Sequence, residues 1–129
     1  MASTQEQHHQ ELVNGLFSQL KEIFNSSKQA IYIYLDDAHK ICNKRFASLL
    51  QYKSSKEWAN DKDTLSSVDK KSQETLVSAY ADAMEKMIGT TIPVTWKRKD
   101  GKKIDTNVIL VPIMYNKHLL ALHFVSSRG

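Results

Sequence analysis

Two segments in the last third of the chain are apolar on both sides of a strand. Val108–Val111 is an unbroken apolar run, and Leu119–Val125 is apolar apart from His123. An antiparallel strand with one solvent-exposed face alternates apolar and polar residues. Leaving several such side chains in water costs multiple kcal/mol at about 25 cal/mol per Å². Both faces of this sheet must therefore be covered by other parts of the chain or by a partner.

Two amphipathic helices are predicted to supply that cover. Residues 9–26 carry apolar side chains at three- and four-residue spacing, as do residues 70–88, which follow the N-cap candidate Asp69. Gly89 suits the left-handed position that ends the second helix. Helices within residues 44–88 can cover only one face, so the N-terminal helix is expected on the other, from its own chain or from a dimer partner. Residues 1–8 are polar and are predicted to be a disordered tail.

The strands are predicted from β-branched and aromatic runs bounded by turn residues. Asp36-Asp37 separates the first two strands, and Asp100-Gly101 is a strong hairpin signal in the last third. Asn43 is a good N-cap for a helix that follows the second strand. The predicted strands are Ala30–Leu35, His39–Cys42, Thr90–Lys99, Lys102–Met114 and His118–Ser126.

Composition limits the function classes. A chain of 129 residues is the size of one domain. Its net charge of +4 is too small for a nucleic-acid footprint, and the longest apolar run, Val108–Tyr115, is too short for membrane insertion. The polar stretch Met1–Gln10 is not a signal peptide, so a cytoplasmic location is expected. Cys42 is alone, which excludes an internal disulfide.

Several short motifs occur in an order that resembles the PAS domain family. The motifs are Asn43–Phe46, Tyr52–Trp58, Val68–Lys70, Trp96–Lys102 with its Lys-Asp-Gly tip, and Val111–Ile113. The resemblance spans residues 27–126. It implies an α+β fold: a PAS-like five-stranded antiparallel sheet with helices on one face, a cavity between them, and the N-terminal amphipathic helix. Asn43, Asp100 and Gly101 take structural roles in this interpretation.

The resemblance also implies a sensory or protein-interaction role, frequently as a dimer. A homodimer is predicted on the apolar stripe of the N-terminal helix, with a separate effector protein as a further possible partner. That stripe consists of Leu12, Leu16, Phe17, Leu20 and Phe24. No catalytic residues are expected. The alternatives are a roadblock or longin-like interaction scaffold, and a small NTF2-like enzyme using Asp36, Asp37, His39 and His123.

The ligand itself is not identified by the sequence. Covalent LOV-type flavin needs a cysteine where Lys44 stands, and PAS haem sensors usually use a histidine on the long helix, where residues 69–89 have none. Neither cofactor is therefore expected. The candidate pocket residues, which could instead simply fill the core, are Phe46, Leu50, Trp58, Tyr80, Met84, Trp96, Leu110 and Leu122.

The positions of the five histidines in the sequence do not indicate a metal site. His8 and His9 fall in the predicted tail, and His39 lies at a turn or strand edge. His118 and His123 are five residues apart on one strand, so they point to opposite faces and cannot share a metal. His123 is interpreted as a hydrogen-bonded structural residue.

Overall fold

The computed structural model describes residues 4–128 as helices around one antiparallel sheet. The helices are α1 (Thr4–Ser26), α2 (Lys44–Leu49), α3 (Ser55–Asn60) and α4 (Lys70–Lys86), with a 3-10 turn at Thr64–Ser67. The strands are β1 (Ala30–Asp36), β2 (His39–Cys42), β3 (Thr90–Lys97), β4 (Lys103–Tyr115) and β5 (His118–Ser127). Among the described residues, no helix combines the length and apolar content needed to cross a bilayer.

The sheet has the strand order β2-β1-β5-β4-β3, and every neighbouring pair is antiparallel. The last strand of the chain therefore lies in the middle, between the first strand and its own hairpin partner. Ala30 pairs with Val125 on one side of β5, and Val108 pairs with Val125 on the other. The predicted five-stranded α+β fold is confirmed.

The sheet is buried on both faces, as its apolar pattern predicted. One face packs against α2, α3 and α4 in the helix-side core, which includes Phe46, Trp58 and Trp96. The other face packs against α1 in the α1-side core, which includes Val13 and Ile33. Side chains alternate along β5 between these two cores because successive residues of a strand point to opposite faces.

The N-terminal helix covers the second face from its own chain. Leu12, Leu16 and Phe24 of the predicted dimer stripe are buried, and Phe17 and Leu20 pack partly buried against the α1-side core. α1 therefore covers β1 and β5 on this face without a partner helix, whereas Ile109 of β4 is 41% exposed, and the homodimer stays a prediction.

Two helix boundaries differ from the predicted ones. α1 begins at Thr4, inside the predicted disordered tail, and residues 1–3 of that tail lie outside the described residues. Contacts of His8 with His118 and of His9 with Asp36 fix the first turns of α1, and these contacts cannot be read from local polarity. α4 ends at Lys86, and Met87 takes the left-handed conformation (φ 55°) assigned to Gly89, because β3 begins pairing at Thr90.

Asn43 joins three parts of the chain through its buried amide. Its Oδ1 accepts hydrogen bonds from the backbone N–H of Phe46 and of Ile31, both at 3.0 Å. Its Nδ2 donates to the carbonyls of Phe24 at 3.3 Å and Gln29 at 2.9 Å. One side chain thus caps α2, pairs with β1 and holds the end of α1.

We expect Asn43→Ala to lower the free energy of unfolding by about 3 kcal/mol, since it removes a cap and leaves buried backbone groups unpaired. Asn43→Asp keeps the acceptor but loses the two donors, so its loss should be intermediate. Urea denaturation of the three proteins measures the effect. Equal stability of Asn43→Ala and wild type would contradict this role.

Candidate functional site

A cavity of about 110 Å³ lies between the sheet and α4. Tyr32 and Tyr34 of β1 line it because residues two apart on a strand share a face. His123 enters it from β5, where it pairs in register with Tyr32. The remaining lining residues come from α4 and the β1–β2 and 3-10 turns: Asp37, Thr64, Leu65, Leu76, Val77 and Tyr80.

His123 is almost completely buried at this cavity, at 2% exposure. Its ring stacks on Tyr32 with centroids 3.9 Å apart and 9° between the planes. Its buried Nδ1 atom makes no well-aligned hydrogen bond, although the backbone of Tyr32 and of Ala121 interacts with the ring and opposes the fall in its pKa. Burial lowers the pKa of the imidazole from 6.5 to about 3, so the ring is neutral near pH 7.

Thr64 supplies a second unpaired group. Among the side chains of residues 7–128, the buried N and O atoms without a hydrogen-bond partner are Thr64 Oγ1 and His123 Nδ1, and both residues line this cavity. Leaving such an atom unsatisfied costs about 1–3 kcal/mol. Two such groups around one mostly apolar space make this cavity the candidate functional site.

Two other polar groups of the cavity, the hydroxyls of Tyr34 and Tyr80, are already paired. The Tyr34 hydroxyl donates to Asp37 Oδ1 at 2.7 Å, and the Tyr80 hydroxyl donates to the Leu35 carbonyl at 3.0 Å. The two tyrosine rings meet edge to face at 5.3 Å. Burial, followed by the hydrogen bond to Asp37, raises the pKa of Tyr34, so its hydroxyl stays protonated. These contacts fix one wall of the cavity.

Most of the predicted pocket residues fill the core instead of lining the cavity. Tyr80 lines it, and Met84 packs partly buried against the helix-side core. Leu122 was assigned to the wrong face: it lies in the α1-side core, because it is one residue away from His123 along β5. The remaining five, which are fully enclosed in the helix-side core, are Phe46, Leu50, Trp58, Trp96 and Leu110.

Sequence reasoning missed Tyr32, Tyr34 and Thr64 as lining residues. The spacing of Tyr32 and Tyr34 along β1 could have indicated that their side chains lie on one face of the sheet, because residues two apart on a strand share a face. Their position opposite His123 depends on the pairing of β1 with β5, which are far apart in the chain. Thr64 gave no signal, since it lies in an irregular polar stretch.

The residues considered for an enzyme lie in two places. Asp37 and His123 line the cavity. Asp36 and His39 lie at the β1–β2 turn, where His39 Nδ1 is 2.7 Å from Asp36 Oδ1. The structure therefore pairs His39 with Asp36, and that pair is not among the residues that line the cavity.

We predict that His123 makes stability depend on pH. The unfolded chain takes up a proton at His123 below about pH 6.5, whereas the folded chain does so only near pH 3. The free energy of unfolding should therefore fall as the pH drops through this window, by up to about 1.4 kcal/mol per pH unit from this residue. His123→Phe, which keeps a ring against Tyr32, should remove this contribution, as measured by urea denaturation between pH 4 and 7.

The matched control is His118→Gln, because His118 is exposed and lies on the same strand. This variant should keep the fall in stability at acidic pH that His123 causes. If His123→Phe also keeps it, the buried neutral imidazole is not its source.

Comparison with known proteins identifies the architecture. No protein-family model and no curated protein matches the sequence. The PAS domain of a protein from Colwellia psychrerythraea superimposes with a TM-score of 0.71 at 20% identity, covering 88% of this chain and 97% of that chain. The PAS domain of an HTR-like protein from Haloarcula marismortui gives 0.62 at 18% identity, covering 95% and 99%.

A third solved structure is the PAS domain of nitrogen regulation protein NR(II) from Vibrio parahaemolyticus. It superimposes with a TM-score of 0.64 at 19% identity, over 83% of this chain and 95% of that one. At identities this low, the superpositions establish a shared fold and nothing finer. The chain therefore has the PAS fold.

Proposed function

We propose that this chain is a sensory module that binds a small neutral molecule in the cavity between β1, β5 and α4 and signals by docking on a partner. The observation that carries the proposal is that His123 and Thr64, which hold the unpaired buried atoms Nδ1 and Oγ1, both line this one cavity. Elsewhere in the helix-side core, aromatic and aliphatic side chains fill the space.

The cavity defines the chemistry of the ligand. Its volume of about 110 Å³ is of the order of the ~150 Å³ space that holds benzene in an engineered protein. A charged ligand would lose its hydration there, and Asp37 at the cavity further disfavours an anion. The threonine hydroxyl can donate or accept a hydrogen bond, and neutral imidazole nitrogen can do either according to its tautomer. A small alcohol or amide meets these conditions.

The same volume argues against the larger cofactors of sensory proteins. Pockets that enclose drug-sized ligands occupy about 300–1,000 Å³. Flavin and haem would need the helix-side core to rearrange, including side chains such as Trp58 and Trp96 that are 1% exposed. The sequence argument from Lys44 and from the absence of histidine in residues 69–89 leads to the same expectation.

The structural relatives support a sensory role. One solved PAS domain comes from a two-component sensor histidine kinase and matches this chain with a TM-score of 0.64 at 12% identity. Another is the N-terminal domain of a diguanylate cyclase with a PAS/PAC sensor, which matches this chain with a TM-score of 0.61 at 14% identity. A fold alone does not define a function, so the proposal depends on the cavity. The absence of enzymatic activity and the cytoplasmic location stay predictions.

Thr64→Val tests the ligand site because it removes the hydroxyl and keeps the shape of the side chain. We expect small alcohols and amides, titrated into ¹⁵N-labelled protein, to shift the NMR resonances of Tyr32, Leu76 and His123. Affinity for a molecule that binds should fall about five- to tenfold in Thr64→Val, the loss of one hydrogen bond. Thr75→Val is the matched control, since Thr75 is exposed on α4 and is not among the residues that line the cavity.

Two results would count against the proposal. One is that none of the tested alcohols and amides shifts the resonances of Tyr32, Leu76 and His123. The other is that Thr64→Val and Thr75→Val bind as tightly as wild type. A native mass spectrum of freshly purified protein supplements the titration, because a non-covalent excess mass would identify the natural ligand directly.

The predicted homodimer is retained as a proposal, but on a different surface. Ile109 is 41% exposed on the sheet face that carries α1, beside the partly buried Phe124 with which it pairs. Val111 is also partly exposed on this face. A second copy that packs here would cover apolar area that α1 leaves open, whereas the dimer stripe proposed from the sequence is largely buried within the chain.

We expect Ile109→Glu to shift the chain from dimer to monomer in sedimentation equilibrium experiments, because it places a charge on this surface. Met114→Glu is the control, since Met114 is also exposed, at 53%, but lies at the end of β4. A wild-type chain that is monomeric at all concentrations would rule out the dimer.

A further inference from the structure

Four of the five histidines meet at one end of the molecule, although the sequence predicted no metal site. His8 and His9 come from α1, His39 from β2 and His118 from the start of β5. His8 Nε2 lies 3.0 Å from His118 Nε2, and the ring centroids of His9 and His39 are 5.4 Å apart. The sequence placed His8 and His9 in a tail, whereas α1 carries them over the sheet.

The carboxylate of Asp36 lies between two of these histidines. Its Oδ2 is 3.2 Å from His9 Nδ1, and its Oδ1 is 2.7 Å from His39 Nδ1. One oxygen or nitrogen from each of the three residues lies within 4.8 Å of those of the other two. The site brings together donors from α1, from the end of β1 and from the start of β2.

The three side chains are held in place yet remain accessible. Asp36 Oδ1 also accepts a hydrogen bond from the backbone N–H of Ala38 at 3.0 Å, which fixes the carboxylate in the β1–β2 turn. The side chains of His9, His39 and Asp36 are 27%, 12% and 41% exposed. An ion from solvent can therefore reach the donor atoms without opening the core.

We propose that His9, Asp36 and His39 form a binding site for a divalent transition metal such as Zn²⁺. Imidazole nitrogen and carboxylate oxygen are typical zinc ligands, at about 2.0–2.2 Å from the metal. Tetrahedral geometry then places ligand atoms about 3.4 Å apart. The distances here, from 2.7 Å up to 4.8 Å, span that value, so small side-chain rotations complete the site. Three protein ligands leave one position open to water or another small ligand.

Metal binding at this site would fix the N-terminal helix to the sheet. His9 is the contribution of α1, and Asp36 and His39 flank the β1–β2 turn. Asp37 in the same turn lines the ligand cavity. The ion would thus connect the first turns of α1 to the segment that holds one wall of the cavity.

The test measures zinc binding to the full chain by competition with a chromogenic chelator. We expect one Zn²⁺ per chain in the wild type. Mutation of a residue that only supports a metal ligand typically lowers metal affinity by roughly 10- to 100-fold. Removal of a ligand itself should cost at least as much, so His9→Gln and Asp36→Asn should each lower the zinc affinity about tenfold or more. Both variants should fold. Asp36→Asn keeps an oxygen that accepts the hydrogen bond of the Ala38 N–H, and the Gln of His9→Gln is compatible with a helix. Circular dichroism checks the fold.

His118→Gln is the matched control. It removes a histidine from the same end of the molecule but leaves the three proposed ligands unchanged, so its zinc affinity should stay within twofold of wild type. Substitution with Co²⁺ adds a second measurement, because a tetrahedral cobalt site gives intense visible absorption. That absorption should be lost in His9→Gln and retained in His118→Gln.

Three outcomes would overturn the proposal. The first is that the wild type does not compete with the chelator at micromolar zinc. The second is an affinity in His9→Gln and Asp36→Asn equal to wild type. The third is a loss in His118→Gln as large as theirs, which would show that the three residues do not form the site by themselves. The assay contains no cavity ligand, so its result is independent of the proposed sensory function.

Discussion

The fold depends on burying both faces of β5. This strand lies in the middle of the sheet, paired with β1 on one edge and β4 on the other. Ala121 and Val125 pack into the helix-side core, while Leu120 and Leu122 pack into the α1-side core. No single helical layer can satisfy both requirements, so α2–α4 and α1 must lie on opposite sides. The N-terminal helix is thus an integral layer of this structure.

His123 is the exception within that strand, and the candidate site is built around it. A neutral imidazole stacked on Tyr32, with an unpaired Nδ1, is less favourable in a core than an apolar side chain of the same size. Positions where a local rule of stability is broken are often functional sites. Thr64, whose hydroxyl is also unpaired, lines the same cavity and adds support to the proposed binding role.

The β1–β2 turn connects the two candidate sites. Asp36 faces the histidines of α1 and β2, and its neighbour Asp37 accepts the hydrogen bond of Tyr34 at the cavity. The turn is therefore a short covalent link between the cavity and the N-terminal helix. A change in the position of Tyr34 would act directly on the segment that also contacts α1. This geometry gives the proposed sensor a physical route from its ligand to its surface.

The sequence by itself determined the order of helices and strands, the two-sided burial of β5 and the role of Asn43 as an N-cap, because periodicity and capping are local properties. The tertiary structure decided which side chains line a space and which fill one: Leu122 lies on the opposite face, and Tyr32 meets His123 only through strand register. It also brought His9 to Asp36 and His39. Cavities and side-chain clusters join residues that are distant in the chain, and no local pattern encodes those distances.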